Sequence, residues 1–448
     1  MHEFIKTGLL AAVVSFAAMN SHAETNRSAA AGNNAFSGRD IFYRQWKSEE
    51  IGAAQIGLGP LYNANSCGAC HINNGRGRPP VDERSDPSFV LRISIAPQNE
   101  KQQMALALEE YASVAEPHYG RQLQDKGVGG RGEGKLKAEY RDKPFTLDDG
   151  EVVVLHRPVY SVGKLKYGDL HKDLQISARI AQPLHGIGQI AAISEAEILS
   201  GEDPRDADKD GISGRANLVL DVASGNIVPG RFGWKATQPN LLQQTAAAFA
   251  QDIGISSSFF PHTGQGCDED NTDCSPMNSK PIKNKNHEIS DDELSLTTQY
   301  VSHFQVNQTG GGLNLGNERV GEKLFSKIGC IFCHRKSYKV KTLNSDGESR
   351  SQTIYPFSDF LLHDMGAGLA DHRPVAQASG WEWRTQPLWG IGKAEEVNGN
   401  KFFLHDGRAR TITEAILWHG GEARGARSKF SALSKKQRVA LVEFVSGL

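Results

Sequence analysis

Three observations in the sequence predict a mainly α fold of two domains, the first enlarged by a small β-rich insertion and loops. A five-residue pattern occurs twice, as Cys67-Gly-Ala-Cys70-His71 and Cys330-Ile-Phe-Cys333-His334. Segments of helical periodicity lead into the second copy and close the chain, at Asn317 to Ile328 and Ser434 to Val445. Phe89-Val-Leu-Arg-Ile-Ser-Ile95 and Val152 to Leu155 are instead rich in β-branched residues, and the first alternates as a strand does.

The repeated pattern is the attachment signature of c-type haem. Two cysteines on one turn can each form a thioether to a haem vinyl group, and the adjacent histidine then lies under the ring to ligate the iron. Cys67, Cys70 and His71 would hold one haem; Cys330, Cys333 and His334 would hold a second. The predicted domains are accordingly cytochrome c-like: an N-terminal haem domain over residues 36–312, with the β-rich insertion near 87–165, and a compact C-terminal haem domain over 313–448.

In chain order, residues 1–23 read as a signal peptide, with Lys6, the apolar run Gly8 to Ala18 and the small-x-small site Ser21-His22-Ala23. That run is too short to span a bilayer, so the expected mature protein is soluble, periplasmic and without a membrane span. Asp40 to Trp46 reads as a helix before the first motif, which follows Gly57-Leu-Gly-Pro-Leu-Tyr-Asn63. Gly127 to Gly134 reads as a turn or mobile loop. Helices are expected near Ser194 to Leu199, over Asn240 to Asp252, and from Ser290, where Asp291, Asp292 and Glu293 supply an acidic first turn. Cys267 and Cys274 sit in a polar loop and read as a disulfide in an oxidising compartment. Gly310-Gly-Gly312 is a candidate hinge.

The 448 residues carry a formal charge of -2, which implies neither nucleic acid nor an anionic membrane as partner. With 38% hydrophobic residues and 47 glycines, the chain reads as loop-rich, its core completed by something besides side chains. Two haems would supply that apolar volume.

Phe360-Leu-Leu-His-Asp-Met-Gly-Ala-Gly-Leu-Ala-Asp371, Thr385-Gln-Pro-Leu-Trp-Gly390 and Phe403-Leu-His-Asp-Gly-Arg-Ala-Arg-Thr411 resemble the di-haem oxidoreductases, a branch of the bacterial di-haem cytochrome c peroxidase superfamily. Gly59-Pro-Leu-Tyr-Asn-Ala64 and Asp206-Ala-Asp-Lys-Asp-Gly-Ile-Ser-Gly-Arg215 resemble the same branch. In that superfamily a His-Asp-Gly motif precedes, by fourteen residues, the second axial ligand of the C-terminal haem. Here the motif is His405-Asp406-Gly407, and the position fourteen beyond His405 is His419. The resemblance therefore implies His334 and His419 on opposite faces of one iron, with Met365 as a competing ligand and His405 making hydrogen bonds nearby. The superfamily's distal glutamate falls in an Asn-Pro-x-Glu context, whose nearest match is Gln182-Pro-Leu-His185. His185 is thus the candidate distal base, a ligand that closes the first haem, or a structural residue. Glu195 and Glu197 read as solvated first-turn residues.

Asp206, Asp208 and Asp210, followed by Gly211, alternate as in a calcium loop, although the twelfth position is Asn217 rather than Glu. Calcium is one reading and a solvated turn the other. Trp234, Trp381, Trp383 and Trp389 are candidates for an aromatic between the haems or for core packing. The leading expectation is a di-haem oxidoreductase of peroxidase type. It would take electrons from a small redox protein or other donor at the C-terminal haem and reduce peroxide or another small oxidant at the N-terminal one. The alternatives are a di-haem electron-transfer cytochrome without turnover and an oxygenase that activates O2.

Overall fold

The computed structural model describes residues 37–51, 54–80, 85–108, 112–128, 130, 132–261, 287–306, 316–343 and 349–448. The expected leader, the Cys267–Cys274 pair and the Gly310–Gly312 hinge lie outside the described residues.

The fold is not the mainly α, cytochrome c-like one expected. It is 30% helical and 23% strand, and the strands form several small sheets. The central one is antiparallel, with Phe89–Ile95 between Gln122–Leu123 and Leu174–Ile180, and with Leu91 opposite Ala178. Its strands bury Phe89, Leu91, Ile93 and Ile180. The largest departure from expectation is a hairpin of two twelve-residue strands, Lys135–Thr146 and Val152–Gly163. Its first strand, KLKAEYRDKPFT, alternates over Lys135 to Tyr140 but is charged at half its positions and then loses the pattern. Other pairs are very short (Leu362–Asp364 with Glu382–Arg384) or polar, as in Ser349–Ile354 opposite Tyr338–Leu343.

The helices lie close to where their caps place them. Asp291–Ser302 begins with a reciprocal capping box between Ser290 and Glu293, and Lys435–Ser446 with one between Ser434 and Gln437. Ser194 caps Glu195–Leu199. The helix expected over Asn240 to Asp252 is regular only over Leu241–Ala248 and then widens into a π turn, Phe249–Ile253.

Two helices fix the second motif. Gly316–Lys327 leads into it and crosses Lys435–Ser446, burying Leu324, Phe325 and Ile328 against Leu441 and Phe444. Gly321 is where the backbones meet: a Cβ there would fall 2.5 Å from Cβ of Phe444 and against the Ala440 carbonyl. The same apolar core includes Phe89, Leu91 and Ile180 of the central sheet, so both halves of the chain contribute to it.

The long hairpin straps the C-terminal third. Ser431 Oγ donates to Asp148 at 2.6 Å near its tip, and Arg438 donates to Asp149 and Glu151 at 2.7 and 2.8 Å. Nearer its base, Tyr160 donates to Asp406 at 2.6 Å. Arg410 donates to the Val154 carbonyl at 2.8 Å.

Gly321→Ala should force the two helices apart and lower stability by about 1–3 kcal/mol, the usual cost of overpacking. Urea unfolding would measure it; an unchanged midpoint would contradict the close crossing.

Candidate haem-binding site

The second motif ends the crossing helix. Gly329, at φ 99°, turns the chain into one 3-10 turn, Cys330–Phe332, which sets both thiols beside His334. Neither thiol is in a disulfide. His334 Nδ1 lies 2.8 Å from the Phe357 carbonyl, which leaves Nε2 as the available nitrogen. His419 caps the helix Ile412–Trp418, and its Nδ1 lies 2.7 Å from the Ala415 carbonyl, so its Nε2 is likewise left over. Both imidazoles line one cavity of about 810 Å³, together with Cys330, Cys333, Met365 and His405. Burial pushes His334 down to about 4, and His419 is near enough to add to that effect. Neutral imidazoles are the form that binds iron.

This donor set fits a haem: two free thiols, one pinned imidazole beside them, a second pinned imidazole across the cavity, and apolar walls from Phe325, Ile328, Ile416 and Leu441. Met365 lines the same cavity, so the structure brings His334, His419 and Met365 to one site.

The first motif is one helical turn, Cys67–Cys70, with His71 just beyond it. Burial raises Cys67 to about 12 and Cys70 well above its ordinary value, with Asp252 adding to both. Cys330 is also pushed up to about 12 by burial. None of these three is the low-pKa thiolate of a thiol-exchange site. His71 stacks obliquely near Phe42, with ring centroids 6.5 Å apart, and lies by the carbonyls of Gly75 and Gln182. Its buried Nδ1 makes no hydrogen bond. Two free thiols and a buried imidazole with an unbonded Nδ1 again suit a haem. The cavity wall includes Gln182 and His185 but not Cys67, Cys70 or His71.

His185 is half-buried, with its pKa lowered by burial and its ring 6.2 Å from that of Phe304. Its turn depends on Gly186 at φ 81°, where any Cβ would collide with the Trp389 indole. Trp389 therefore backs the His185 turn while lining the cavity shared with His334. Of the other tryptophans, Trp381 is exposed and Trp234 donates to the Ile180 carbonyl at 2.9 Å. Trp383 stacks on His405 at 3.8 Å and 11°. His405 is pushed down to about 4 by burial, and its neighbour Asp406 is held by Arg408 and Tyr160. Glu195 and Glu197 lie near Arg231 and Arg335 at 3.8 and 2.7 Å.

The acidic loop gathers Asp203, Asp206 and Asp208, with one carboxylate oxygen of each within 4.8 Å of the others. Asp210 is outside this cluster and accepts from the Ile212 amide. Asn217, at the twelfth position, is buried and donates to the Lys235 and Val375 carbonyls. Asp203 carries no signal in the alternating pattern, because the loop's path rather than its spacing brings it in.

One cluster went unrecognised in the sequence. His363 places Nε2 2.8 Å from Asp359 and Nδ1 2.7 Å from Glu422, and it also contacts the Cys333 sulfur. Burial alone would lower its pKa; the hydrogen bonds to Asp359, Cys333 and Glu422 outweigh that and hold it well above the usual range. Both ring nitrogens are thus donors, and His363 is a buried cation between two carboxylates. Glu422 also accepts from the Ser213 amide and hydroxyl, each at 3.0 Å, and from the Asp364 amide at 3.1 Å. It stands three residues past His419, so it ties that turn to the acidic loop and the second motif. Only the sequence Leu-Leu-His363-Asp in the family-like segment hinted at this cluster.

Paired thiols and pinned imidazoles around one apolar cavity mark a haem protein with redox chemistry. The family described as "Di-haem oxidoreductase, putative peroxidase" matches residues 7–448, and the chain belongs to it. No curated protein matches. Among solved structures, a hydrazine synthase of Kuenenia stuttgartiensis pressurised with xenon is similar over 36% of this chain and 57% of that one. The identity is 17% and the TM-score 0.21, a likeness too distant to bear on function. This chain spans little more than half of that protein's length. Among the described residues no helix is long and apolar enough to cross a membrane.

Glu422→Gln removes one of the two charges that balance His363 and should cost about 2–3 kcal/mol, at or below the low end of the ~3–5 kcal/mol for breaking a buried pair because Asp359 remains. Chemical unfolding would report it, and a loss below about 0.5 kcal/mol, the size of a surface effect, would contradict the buried-cation description.

Proposed function

We propose that the protein is an exported c-type di-haem oxidoreductase of peroxidase type. The observation that carries this reading is the inequality of the two histidine settings. His334 faces a cavity that a second pinned imidazole, His419, also lines. Three residues past Gln182, whose carbonyl lies by His71, comes the cavity-lining His185, which is half-buried and has no hydrogen bond to its ring among the described residues.

A bound haem supplies an iron that takes up and releases single electrons and, with one face free, accepts a small oxidant. In this reading Cys330 and Cys333 would hold one haem through thioethers, with His334 and His419 offering imidazole nitrogens to its iron. Cys67 and Cys70 would hold the other, with His71 as its imidazole donor. The Phe357 and Ala415 carbonyls fix each imidazole ring through Nδ1, which sets ligand direction and basicity. His185, kept neutral by burial, takes a proton from peroxide at a ring nitrogen and returns it to the departing oxygen. Electrons would enter at the His334 site and be used at the His71 site; Trp389 packs on the His185 turn and lines the cavity that His334 faces. Two electrons and two protons convert one peroxide to two waters. The leader and paired haem motifs support a periplasmic location.

Cys330→Ser/Cys333→Ser should halve covalent haem, read as haemochrome absorbance per chain; full retention would refute attachment there. His185→Ala should lower peroxide turnover about 10²- to 10⁴-fold, the usual contribution of a proton-transfer group, with haem loading unchanged. Wild-type turnover in His185→Ala would remove His185 from the chemistry.

A further inference from the structure

The outer face above the His334–His419 cavity carries an unbalanced set of cations. On the long hairpin, Arg141 and Arg157 are directly opposite each other. Like charges in that position destabilise a strand pair, so local stability does not account for them. Lys143 follows on the same face, its ammonium 4.9 Å from the Trp418 ring centre. The helix Arg424–Ser431 adds Arg424, Arg427 and Lys429, with the Arg427 guanidinium 5.8 Å over Phe145 of the hairpin. All but the half-buried Arg427 are exposed. None of the six has a carboxylate partner among the described residues.

The set is contiguous. Beyond partial burial, Arg157 and Arg427 hold the pKa of Lys143 down, and Arg424 does the same to Arg427. The hairpin-tip acids do not neutralise it, since Asp148, Asp149 and Glu151 are engaged by Ser431, Arg438 and Lys435. Glu139 is the acid that shares the strand face. The whole chain is at -2, so this concentration of positive charge is local. Arg427 and Lys429 also line the cavity that His334 and His419 face.

We propose that Arg141, Lys143, Arg157, Arg424, Arg427 and Lys429 form the docking surface for a small acidic redox protein that delivers electrons to the C-terminal site. The proposal rests on the reading of that site as the electron entry point. The cations are spread over two elements, a hairpin and a helix, which suits an extended acidic face better than a small anion. On docking, the reduced partner loses one electron and one ferric haem of the holoprotein becomes ferrous. Charge complementarity of this kind steers encounter and is weakened by salt.

The test is calorimetric titration of the full di-haem protein with oxidised plant-type [2Fe–2S] ferredoxin as the acidic probe. Raising salt from about 20 to about 200 mM should weaken binding at least about tenfold. Lys143→Gln/Arg157→Gln/Arg424→Gln should weaken low-salt binding by about tenfold or more, while Lys143→Arg/Arg157→Lys/Arg424→Lys should stay within about threefold of wild type. Absence of ferredoxin binding, equal binding by the glutamine variant, or charge-dependent binding only to phosphatidylserine vesicles would overturn the proposal. Because the readout is binding, a partner that docks but fails to reduce the haem would uphold the surface and reject the electron-entry reading instead.

Discussion

An imidazole has two nitrogens, and the architecture depends on where one of them is engaged. At His334 and His419, Nδ1 lies against the Phe357 and Ala415 carbonyls. Each contact fixes the ring and leaves Nε2 as the coordinating atom. Both carbonyls are positioned by surrounding packing. Phe357 is buried beside Phe325 and Phe444, where the motif helix crosses the closing helix, and Ala415 lies in the helix that His419 ends. The hairpin then reinforces this region from outside, through Tyr160 to Asp406 and Arg410 to Val154. Ligand direction at the second site is thus set by backbone geometry and maintained by packing.

Buried charge around the cavity is matched with care. Lys235 is fully buried and donates to Asp371 at 2.7 Å and to the Arg373 and Ser379 carbonyls. Burial is the main influence, lowering it to about 8, with Asp371 opposing that. Arg408 grips Asp406, and His363 is balanced by Asp359 and Glu422. Unmet charge or polarity of this sort is expensive in an interior. Among the exceptions, three bear on the proposed chemistry: the buried Nδ1 of His71, the unbonded ring of His185, and the cations beside the cavity.

The sequence was informative where local chemistry decides structure. The two Cys-x-x-Cys-His motifs, the strand Phe89–Ile95 and the helices begun by Ser194, Ser290 and Ser434 are all local signals, and each lies where its residues indicate. The β content was not legible, because Lys135–Thr146 is charged at half its positions and the short pairs are defined by partners distant in sequence. The same reason hid the cluster around His363. Asp359 is a local neighbour, but Glu422 arrives only when the turn after His419 folds back onto Leu362–Asp364. Asp203 entered the acidic cluster, and Asp210 left it, through the course of the loop backbone, which alternation does not encode.

The central claim is that the two irons are coordinated unequally. Low-temperature EPR of the oxidised holoprotein addresses it most directly. The account predicts one low-spin signal of bis-imidazole type, lost on His419→Ala, beside one high-spin signal that His419→Ala leaves in place. Two low-spin signals with no high-spin component in any redox state would contradict it, and would leave a di-haem electron carrier as the reading that the coordination allows.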